Sequence, residues 1–293
     1  MEQLPQILIN ILYTAIIYFI IALSFYILYF STKLLNIAHA AIITLSSYFF
    51  LSFYSAFNSL LPAFILSIAS STLSGLIIYK IVFYKLIKNN TPKWIVLIAS
   101  LGVYIIFQNA ISLIWGDDVK SIRFADVKVG HDFFGAYITD MQVIIILAGI
   151  NFLILSLLFY RFSKIGKQMK AISSNLELSS IFGINQNRIF LIAFGLGSCV
   201  AAISGTLIAF ENDLTPTFGF NLLLYGVVAM IIGGVGSLWG IVGGAFLLSI
   251  AQNIGAYYLD SKWMDAIAYI ILILFLLWKP LGLSGKRLKK VEI

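Results

Sequence analysis

The chain alternates long apolar segments with short polar ones, and this pattern predicts its architecture. Seven apolar segments cover residues 7–30, 34–57, 60–79, 94–115, 141–160, 189–210 and 263–278. One further stretch, residues 214–259, contains no charged side chain and is interrupted only by glycine clusters. A helix crosses the hydrocarbon core of a membrane with about 20 apolar residues. This stretch therefore predicts two crossings, or one crossing and a re-entrant segment, with a hinge at residues 233–237.

Counting both halves of that stretch gives nine segments, which we expect to be helices. Backbone polar groups in lipid must bond within a helix or a closed barrel, and these segments are too long and too continuously apolar for barrel strands. The composition agrees, because 61% of the residues are hydrophobic and 11% are charged, against about 25% charged in a soluble domain. We predict an all-α polytopic membrane protein, with a bundle of about nine (eight to ten) transmembrane helices in one domain over residues 1–293.

Charged residues fall in alternate loops, and their distribution predicts the orientation. One set of loops is basic: Lys33; Lys80, Lys85, Lys88 and Lys93; Arg161, Lys164, Lys167, Lys170 and Arg188; Lys279, Lys286, Arg287, Lys289 and Lys290. The opposite loops carry the acids: Asp117, Asp118, Asp126, Asp132 and Asp140; Glu211 and Asp213; Asp260 and Asp265. Since cytoplasmic loops are enriched in Lys and Arg, we expect residues 161–188 in the cytoplasm and 116–140 outside it. The N terminus is then external and the C terminus cytoplasmic. Because the net charge of +7 lies in loops rather than on one binding face, we expect no nucleic-acid partner.

The residues that enzymes use are not grouped here. The two histidines, His39 and His131, have no ligand-spaced partner, and Cys199 is the single cysteine, so no disulfide framework or thiolate metal site is expected. The phosphate-binding pattern G-x-x-x-x-G-K-[ST] does not occur. We therefore expect no catalytic residues, no metal and no cofactor.

Uncharged amides are the main polar groups inside the apolar segments. They are Gln108, Asn109, Asn151, Gln252 and Asn253. An amide in lipid is costly unless it is paired, so these side chains either bond between helices or line a polar path. No Asp, Glu, Lys or Arg lies in the middle of a segment, which argues against a proton relay or a channel lined by charged rings.

Two runs of small residues recur at every fourth position. The first contains Ala193, Gly197, Ala201, Gly205 and Ala209, and the second contains Gly236, Gly240 and Gly244. Each run predicts a flat helical face against which a neighbouring helix packs closely. Such faces serve either packing alone or the sliding of helices in a conformational cycle.

The loop over residues 161–188 is predicted to form a helix. Met169, Ile172 and Leu176 follow one another at i, i+3 and i+7, and Gly183 is placed to end the helix. This pattern fits an amphipathic helix on the lipid interface or a helix that docks a partner.

Three ordered stretches resemble the permease subunits of branched-chain amino-acid ABC importers. Residues 35–40 (LNIAHA) resemble the family's N-x-A-H-G signature. Residues 166–171 (GKQMKA), with Gly183, Ile184 and Asn185, resemble its coupling loop, and residues 194–205 resemble the helix that follows. Residues 233–240 (GGVGSLWG), with Gly243 and Gly244 and with 279–283 (KPLGL), complete the match. The departures are Ala40 for the usual Gly, Lys170 for Arg, Leu178 and Ser179 for alanines, Trp239 for Pro and Gln252 for Glu.

The resemblance implies a transport subunit of a bacterial inner membrane that has no chemistry of its own. Its expected partners are two ABC ATPase subunits, a second related permease, an extracytoplasmic substrate-binding protein and membrane lipid. The residues expected to couple to the ATPase, through a cytoplasmic coupling helix, are Met169, Lys170, Ala171, Ile172, Gly183 and Ile184. The residues expected along the substrate pathway are Asn36, His39, Gln108, Asn109, Asn151 and Gln252, with Asn36 and His39 on one helical face. Helix packing is expected at Gly197, Gly205, Gly236, Gly240 and Gly244.

The substrate that the resemblance implies is a branched-chain or other neutral amino acid. A urea or short-chain amide permease has the same motifs and stays open as an alternative. A stand-alone channel, which would transport without nucleotide, and a membrane-embedded enzyme are the hypotheses from other classes.

Overall fold

A computed structural model describes residues 4–122, 130–133 and 135–284. The charges at Glu2, Asp126, Lys286, Arg287, Lys289 and Lys290, and the backbone at residues 123–129, lie outside the described residues. The helices are α1 (Leu4–Thr32), α2 (His39–Phe57), α3 (Leu60–Ile78), α4 (Tyr84–Lys88), α5 (Lys93–Trp115), α6 (Asp140–Phe162), α7 (Lys164–Ser174), α8 (Leu176–Ile181), α9 (Gln186–Ala209), α10 (Phe218–Gly233), α11 (Leu238–Tyr258) and α12 (Met264–Trp278). A π-helical turn (Tyr79–Phe83) joins α3 to α4, a 3-10 turn (Ser261–Trp263) precedes α12, and strands β1 (His131–Phe133) and β2 (Ala136–Ile138) form an antiparallel hairpin.

Eight helical segments of the described chain are long and apolar enough to cross a membrane. They are Leu4–Thr32, His39–Phe57, Leu60–Lys88, Lys93–Trp115, Asp140–Phe162, Gln186–Ala209, Leu238–Tyr258 and Ser261–Trp278. The all-α polytopic class is thereby confirmed. The ninth predicted segment corresponds to α10, which has 16 residues. At 1.5 Å per residue it is roughly 24 Å long, short of a hydrocarbon core about 30 Å thick.

The shortness of α10 has a local cause. Leu214 begins the uncharged stretch but is not helical. Its backbone forms two hydrogen bonds with the backbone of Lys120, 2.7 and 3.0 Å long. Pro216 follows, and α10 begins only at Phe218. The stretch over residues 214–259 therefore holds one long helix and one short helix, with the break at Gly233 and Gly234 as predicted.

The chain divides into two compact units. Among the described residues, unit 1 comprises 4–23, 130–133, 135–157 and 224–284, and unit 2 comprises 24–122 and 158–223. Helices α1, α6 and α10 each contribute residues to both units.

In unit 2 the first run of small residues allows helices to approach to backbone contact. A Cβ built on Gly197 would lie 3.0 Å from the Ser24 carbonyl oxygen, and one on Gly205 would lie 2.4 Å from that of Ile43. The Ser47 hydroxyl donates to the Gly205 carbonyl over 3.0 Å, which adds a polar contact between α2 and α9. The predicted flat face of α9 is thus a packing surface within this chain.

In unit 1 the second run packs α11 against α10. A Cβ on Gly240 would lie 2.3 Å from the Gly233 carbonyl oxygen, and one on Gly244 would lie 2.1 Å from that of Ala229. Gly236 was expected on the same face, but it lies in the turn before α11, which begins at Leu238. The helical face therefore consists of Gly240 and Gly244 only.

The segment after α12 returns to the glycine break. The backbone amides of Leu283 and Ser284 donate to the carbonyls of Ile232 and Gly233, over 2.8 and 3.0 Å. These are two of the orphan carbonyls at the C-terminal end of α10. Gly234 (φ +90°) lies against this segment, since its Cβ would meet the Leu281 carbonyl oxygen at 2.6 Å. The glycine-rich motif at 233–240 and the motif at 279–283, both part of the third matching stretch, therefore lie in contact.

Candidate functional site

The loop over residues 161–188 forms two short helices, α7 and α8, rather than the single helix predicted from the sequence. Asn175 separates them with an extended backbone, and its Oδ1 accepts from the Leu178 amide over 2.9 Å. Ser163 caps α7 in the same way, accepting from the Ile165 amide over 3.2 Å. A side-chain oxygen at the first position of a helix satisfies a backbone donor that otherwise has no partner, so each helix has its own start signal.

Gly183 ends α8, as predicted. Its φ is +77°, its amide donates to the Ser180 carbonyl over 2.9 Å, and the Ile184 amide donates to the Ser179 carbonyl over 3.1 Å. This pair of bonds is a Schellman motif, in which glycine adopts the left-handed conformation at the lowest steric cost.

The apolar stripe of α7 faces the interior of the chain. Met169 is fully buried and Ile172 is 3% exposed. Both side chains are buried within this chain, and the expectation that these two residues form the contact with an ATPase stays a prediction. Their periodicity reports packing within this chain.

Beyond α7, the exposed apolar surface of the loop lies on α8 and directly after it. Ile181 is 79% exposed and Phe182 77%, while Leu178 is about half exposed. A cavity of about 300 Å³ adjoins this surface and is lined by Ala171, Ser174, Asn175, Leu178, Ser179, Phe182 and Ile184. We call α8 with Phe182 and this cavity the α8 surface. Of the coupling residues expected from the sequence, Ala171 and Ile184 line its cavity.

Two lysines connect this loop to the rest of unit 2. Lys170 is exposed, and its Nζ lies 5.9 Å from the ring centroid of Tyr160 on α6. Lys33, which the sequence marked only as a basic loop residue, donates from Nζ to Ser173 Oγ on α7 over 2.7 Å. Burial, together with the charge of Lys93, lowers the pKa of Lys33 from its usual 10.5 to about 8.

Asn36 and His39 lie at the start of α2, but they do not share a helical face as expected. Residues 33–38 are not helical, and α2 begins only at His39. Asn36 is 3% exposed, and its Oδ1 has no hydrogen-bond partner among the residues that the structure describes. His39 is 1% exposed and its Nε2 lies 3.1 Å from Ser24 Oγ. The histidine is therefore paired inside unit 2, whereas the asparagine oxygen is a buried acceptor without a partner.

The other amides expected along the pathway are dispersed. Gln108 is half-buried on α5, and the adjacent Asn109 is exposed and donates to its own helix at Ile105 over 2.8 Å. Asn151 is exposed on α6. Gln252 is fully buried in unit 1, bonded to Tyr18 and to the backbone of α12. Within each unit, no hydrogen bond between described residues joins two of these amides.

The described residues also contain no group of three or more His, Cys, Asp or Glu side chains placed to hold a metal ion. His131 pairs instead with Asp140, Nε2 to Oδ1, over 2.9 Å at an exposed position.

A predominantly helical membrane chain with a capped two-helix loop and glycine-packed helices agrees with the resemblance found in the sequence. The family model described as "Branched-chain amino acid transport system / permease component" matches residues 7–276. The chain belongs to this family. It is a multi-pass membrane permease component of a transport system. The family predicted from the sequence motifs is confirmed.

Curated relatives resemble this permease over nearly its full length. It is 28% identical over 283 residues to the high-affinity branched-chain amino acid transport system permease protein LivH of Escherichia coli strain K12, covering 92% of this chain and 91% of the relative. It is also 28% identical over 299 residues to BraD of Pseudomonas aeruginosa, covering 96% and 95%. The probable LivH of Methanocaldococcus jannaschii is 28% identical over 93% of this chain and 90% of its own. No solved structure matches the permease significantly.

Proposed function

We propose that this permease is the membrane-spanning subunit of an ATP-driven importer that carries branched-chain or other neutral amino acids by alternating access. The family match over residues 7–276 is the observation that carries this proposal. The printed names of LivH and BraD describe branched-chain amino-acid transport, and we extend that substrate class to this chain. ATP hydrolysis belongs to a separate subunit in this proposal.

The ATPase docks on the α8 surface. Ile181, Phe182 and Leu178 form a projecting apolar group with Leu176, which is 44% exposed, whereas Met169 and Ile172 of α7 are buried. Apolar side chains exposed next to a concave surface are typical of protein interaction sites. The exposed Lys170 and the Gly183 cap border this contact, where the glycine fixes the direction in which the chain leaves α8.

The orientation follows from the charge pattern, with the N terminus external and the loop over residues 161–188 cytoplasmic. Two ATPase subunits then bind two permease chains, this one and a related second permease, and an extracytoplasmic binding protein delivers the substrate. Closure of the ATPase pair displaces the loops, and that displacement switches the bundle between outward and inward openings.

Asn36 is the pathway residue best supported by its surroundings. A buried amide oxygen without a partner is costly, and a passing donor such as an ammonium group or water satisfies it. His39 and Gln252 already have partners, so we place them beside the pathway as residues that shape it. Gln108, Asn109 and Asn151 remain proposed pathway residues. Gln108 is half-buried, and Asn109 and Asn151 are exposed.

Uptake measurements in the native host test the function. Deletion of the gene should abolish high-affinity uptake of radiolabelled leucine, isoleucine or valine, and the gene supplied in trans should restore it. Loss of urea or acetamide uptake instead would assign the alternative substrate class. Uptake that continues after ATP depletion would indicate a channel and contradict the proposal.

A further inference from the structure

Lys33 has an unusual backbone conformation for its residue type. It ends α1, where its amide donates to the Tyr29 carbonyl over 2.8 Å, and its φ is +55°. The other non-glycine residues with positive φ among those described are Asn58 and Asn90, and asparagine tolerates this region. A lysine here is sterically disfavoured, and glycine is the usual residue at such a helix end. A strained residue of this kind points to a role for its side chain.

The Lys33 side chain connects α1 to α7. Its Nζ donates to Ser173 Oγ over 2.7 Å and lies 5.0 Å from the ring centroid of Phe30. Ser173 is 7% exposed, so this hydrogen bond is largely shielded from water. Hydrogen bonds from a charged donor are shorter and stronger than neutral ones, and shielding strengthens them further.

A second set of contacts joins the same two helices. The ring of Phe30 packs edge-on against Tyr160, with centroids 5.7 Å apart, and Lys170 Nζ lies 5.9 Å from the Tyr160 ring centroid. Lys170 and Ser173 both belong to α7. The helix is thus attached to the end of α1 at two points, directly through Lys33 and indirectly through Tyr160.

The short segment that follows Lys33 leads to Asn36 and His39. Its backbone is held by the Ser100 hydroxyl, which accepts from the Ile37 amide over 3.0 Å. Because residues 33–38 are not helical, this segment can change its backbone dihedrals without breaking a helix. A displacement of α7 that pulls on Lys33 is therefore transmitted to the start of α2, where Asn36 carries a buried acceptor without a partner.

We propose that Lys33 is the positioning residue that transmits movement of the ATPase-docking loop to the Asn36–His39 segment of the transport pathway. This inference rests on the proposed function. The alternative is that Lys33 merely ends α1. Glycine at this position removes the backbone strain and the side-chain connection together. If Lys33 merely ends α1, glycine should leave uptake unchanged, whereas loss of the connection should lower uptake.

The test uses Lys33→Gly in the complete complex with its ATPase subunits, reconstituted with whichever of leucine or urea the wild type takes up. Ser173→Ala, a milder change, removes only the acceptor. Lys88→Met, at an exposed lysine of α4, controls for the loss of one basic charge. Assembly, thermal stability, ATP hydrolysis with and without loaded binding protein, and uptake are measured for each.

We expect Lys33→Gly to assemble normally and to be at least as stable as the wild type. Its binding-protein-stimulated hydrolysis and its uptake should fall at least about fivefold, within the usual range of coupling between sites. Ser173→Ala should change in the same direction, and Lys88→Met should behave as the wild type.

Normal uptake per assembled complex in both Lys33→Gly and Ser173→Ala, next to an active wild type, would overturn this inference alone. If Lys33→Gly does not assemble, Ser173→Ala decides by the same criterion. A wild-type complex without ATP-dependent uptake would instead contradict the proposed function, and the inference with it.

Discussion

The Tyr18 hydroxyl donates a 2.5 Å hydrogen bond to Oε1 of Gln252, joining α1 to α11 inside unit 1. The Gln252 Nε2 in turn donates to the Met264 carbonyl over 2.8 Å. Beside this pair, the ring of Tyr225 lies 5.2 Å from that of Tyr18, and its hydroxyl donates to the Asp265 carboxylate. The side chain at position 252 thus needs one acceptor and one donor. An amide has both, whereas an ionised carboxylate has no donor. That requirement accounts for glutamine at a position where the family often has glutamate.

Replacing Gln252 should therefore destabilise the fold. Gln252→Leu leaves the Tyr18 hydroxyl without its acceptor and removes the hydrogen bond to the Met264 carbonyl, and the expected loss is about 1–3 kcal/mol. Gln252→Glu should also lower the thermal midpoint in detergent, because a carboxylate oxygen then faces the Met264 carbonyl. Asn151→Leu, at an exposed amide, is the control and should change the midpoint little. Equal midpoints for Gln252→Leu and the wild type would refute the structural role.

His39→Ala should lower stability as well as uptake. The change removes the contact with Ser24 and leaves a cavity at a position that is 1% exposed, so we expect a loss of roughly 2–3 kcal/mol. Thermal unfolding in detergent and uptake are measured on the same preparation. Loss of uptake with an unchanged midpoint would place His39 in the transport path itself.

Gly240→Leu should prevent folding of unit 1. A side chain there meets the Gly233 backbone, whose carbonyl oxygen would lie 2.3 Å from the new Cβ, and backbone cannot move aside as a side chain does. Gly102→Leu is the matched control, since a Cβ on Gly102 has no heavy atom within 4 Å. Size-exclusion profiles and uptake should separate the two variants.

Gly149, although it lies outside both small-residue runs, is not a suitable control. Its Cβ would lie 2.4 Å from Cγ2 of Ile16. Similar behaviour of Gly240→Leu and Gly102→Leu would show that the α10–α11 packing tolerates bulk.

The double variant Ile181→Asp, Phe182→Asp should lose its ATPase partner while remaining folded. Both side chains are more than three-quarters exposed, so acids there cost little in the isolated permease but oppose an apolar contact. Co-purification with the ATPase measures the loss. Val119→Asp, at a 63% exposed residue of the predicted external loop, should bind the ATPase normally. Normal ATPase binding by the double variant would exclude the α8 surface as the docking site.

Lys33 should make the stability depend on pH in alkaline solution. Its pKa in the folded state is about 8, against 10.5 ordinarily. The folded protein therefore loses this proton first, and the unfolded chain still holds it, so stability rises with pH between these values. Comparison of thermal midpoints for the wild type and Lys33→Met isolates this group. The stability of the wild type relative to the variant should increase from about pH 8 to about pH 10.5, and a constant difference would contradict the lowered pKa.

The sequence predicted what local pattern determines. Charge-free runs of sufficient length located the helices, and a glycine after an amphipathic run located the end of α8. Four-residue spacing of small residues located the close approach of α9 to its neighbours. Each of these features follows from sterics or hydrogen bonding within a few residues of the chain.

Features that depend on distant neighbours were not predictable in the same way. The spacing of Met169 and Ile172 indicated that one face of α7 is apolar, but it did not indicate what packs against that face. In the structure this face packs against other residues of the same chain. The polar connection of Lys33 to Ser173 joins residues far apart in sequence, and no periodicity indicates it. The sequence also suggested one helix where Asn175 makes two, because an asparagine can either continue a helix or cap the next one.

The end of α10 is completed by a part of the chain that the ribosome makes much later. The carbonyls of Ile232 and Gly233 receive the amides of Leu283 and Ser284, and the whole of α11 and α12 lies between them in sequence. During synthesis these two acceptors therefore lack their partners until the residues that follow α12 have been made. The final geometry of this break is thus a late event in biogenesis, and a stalled or truncated nascent chain that ends within α12 leaves it unfinished.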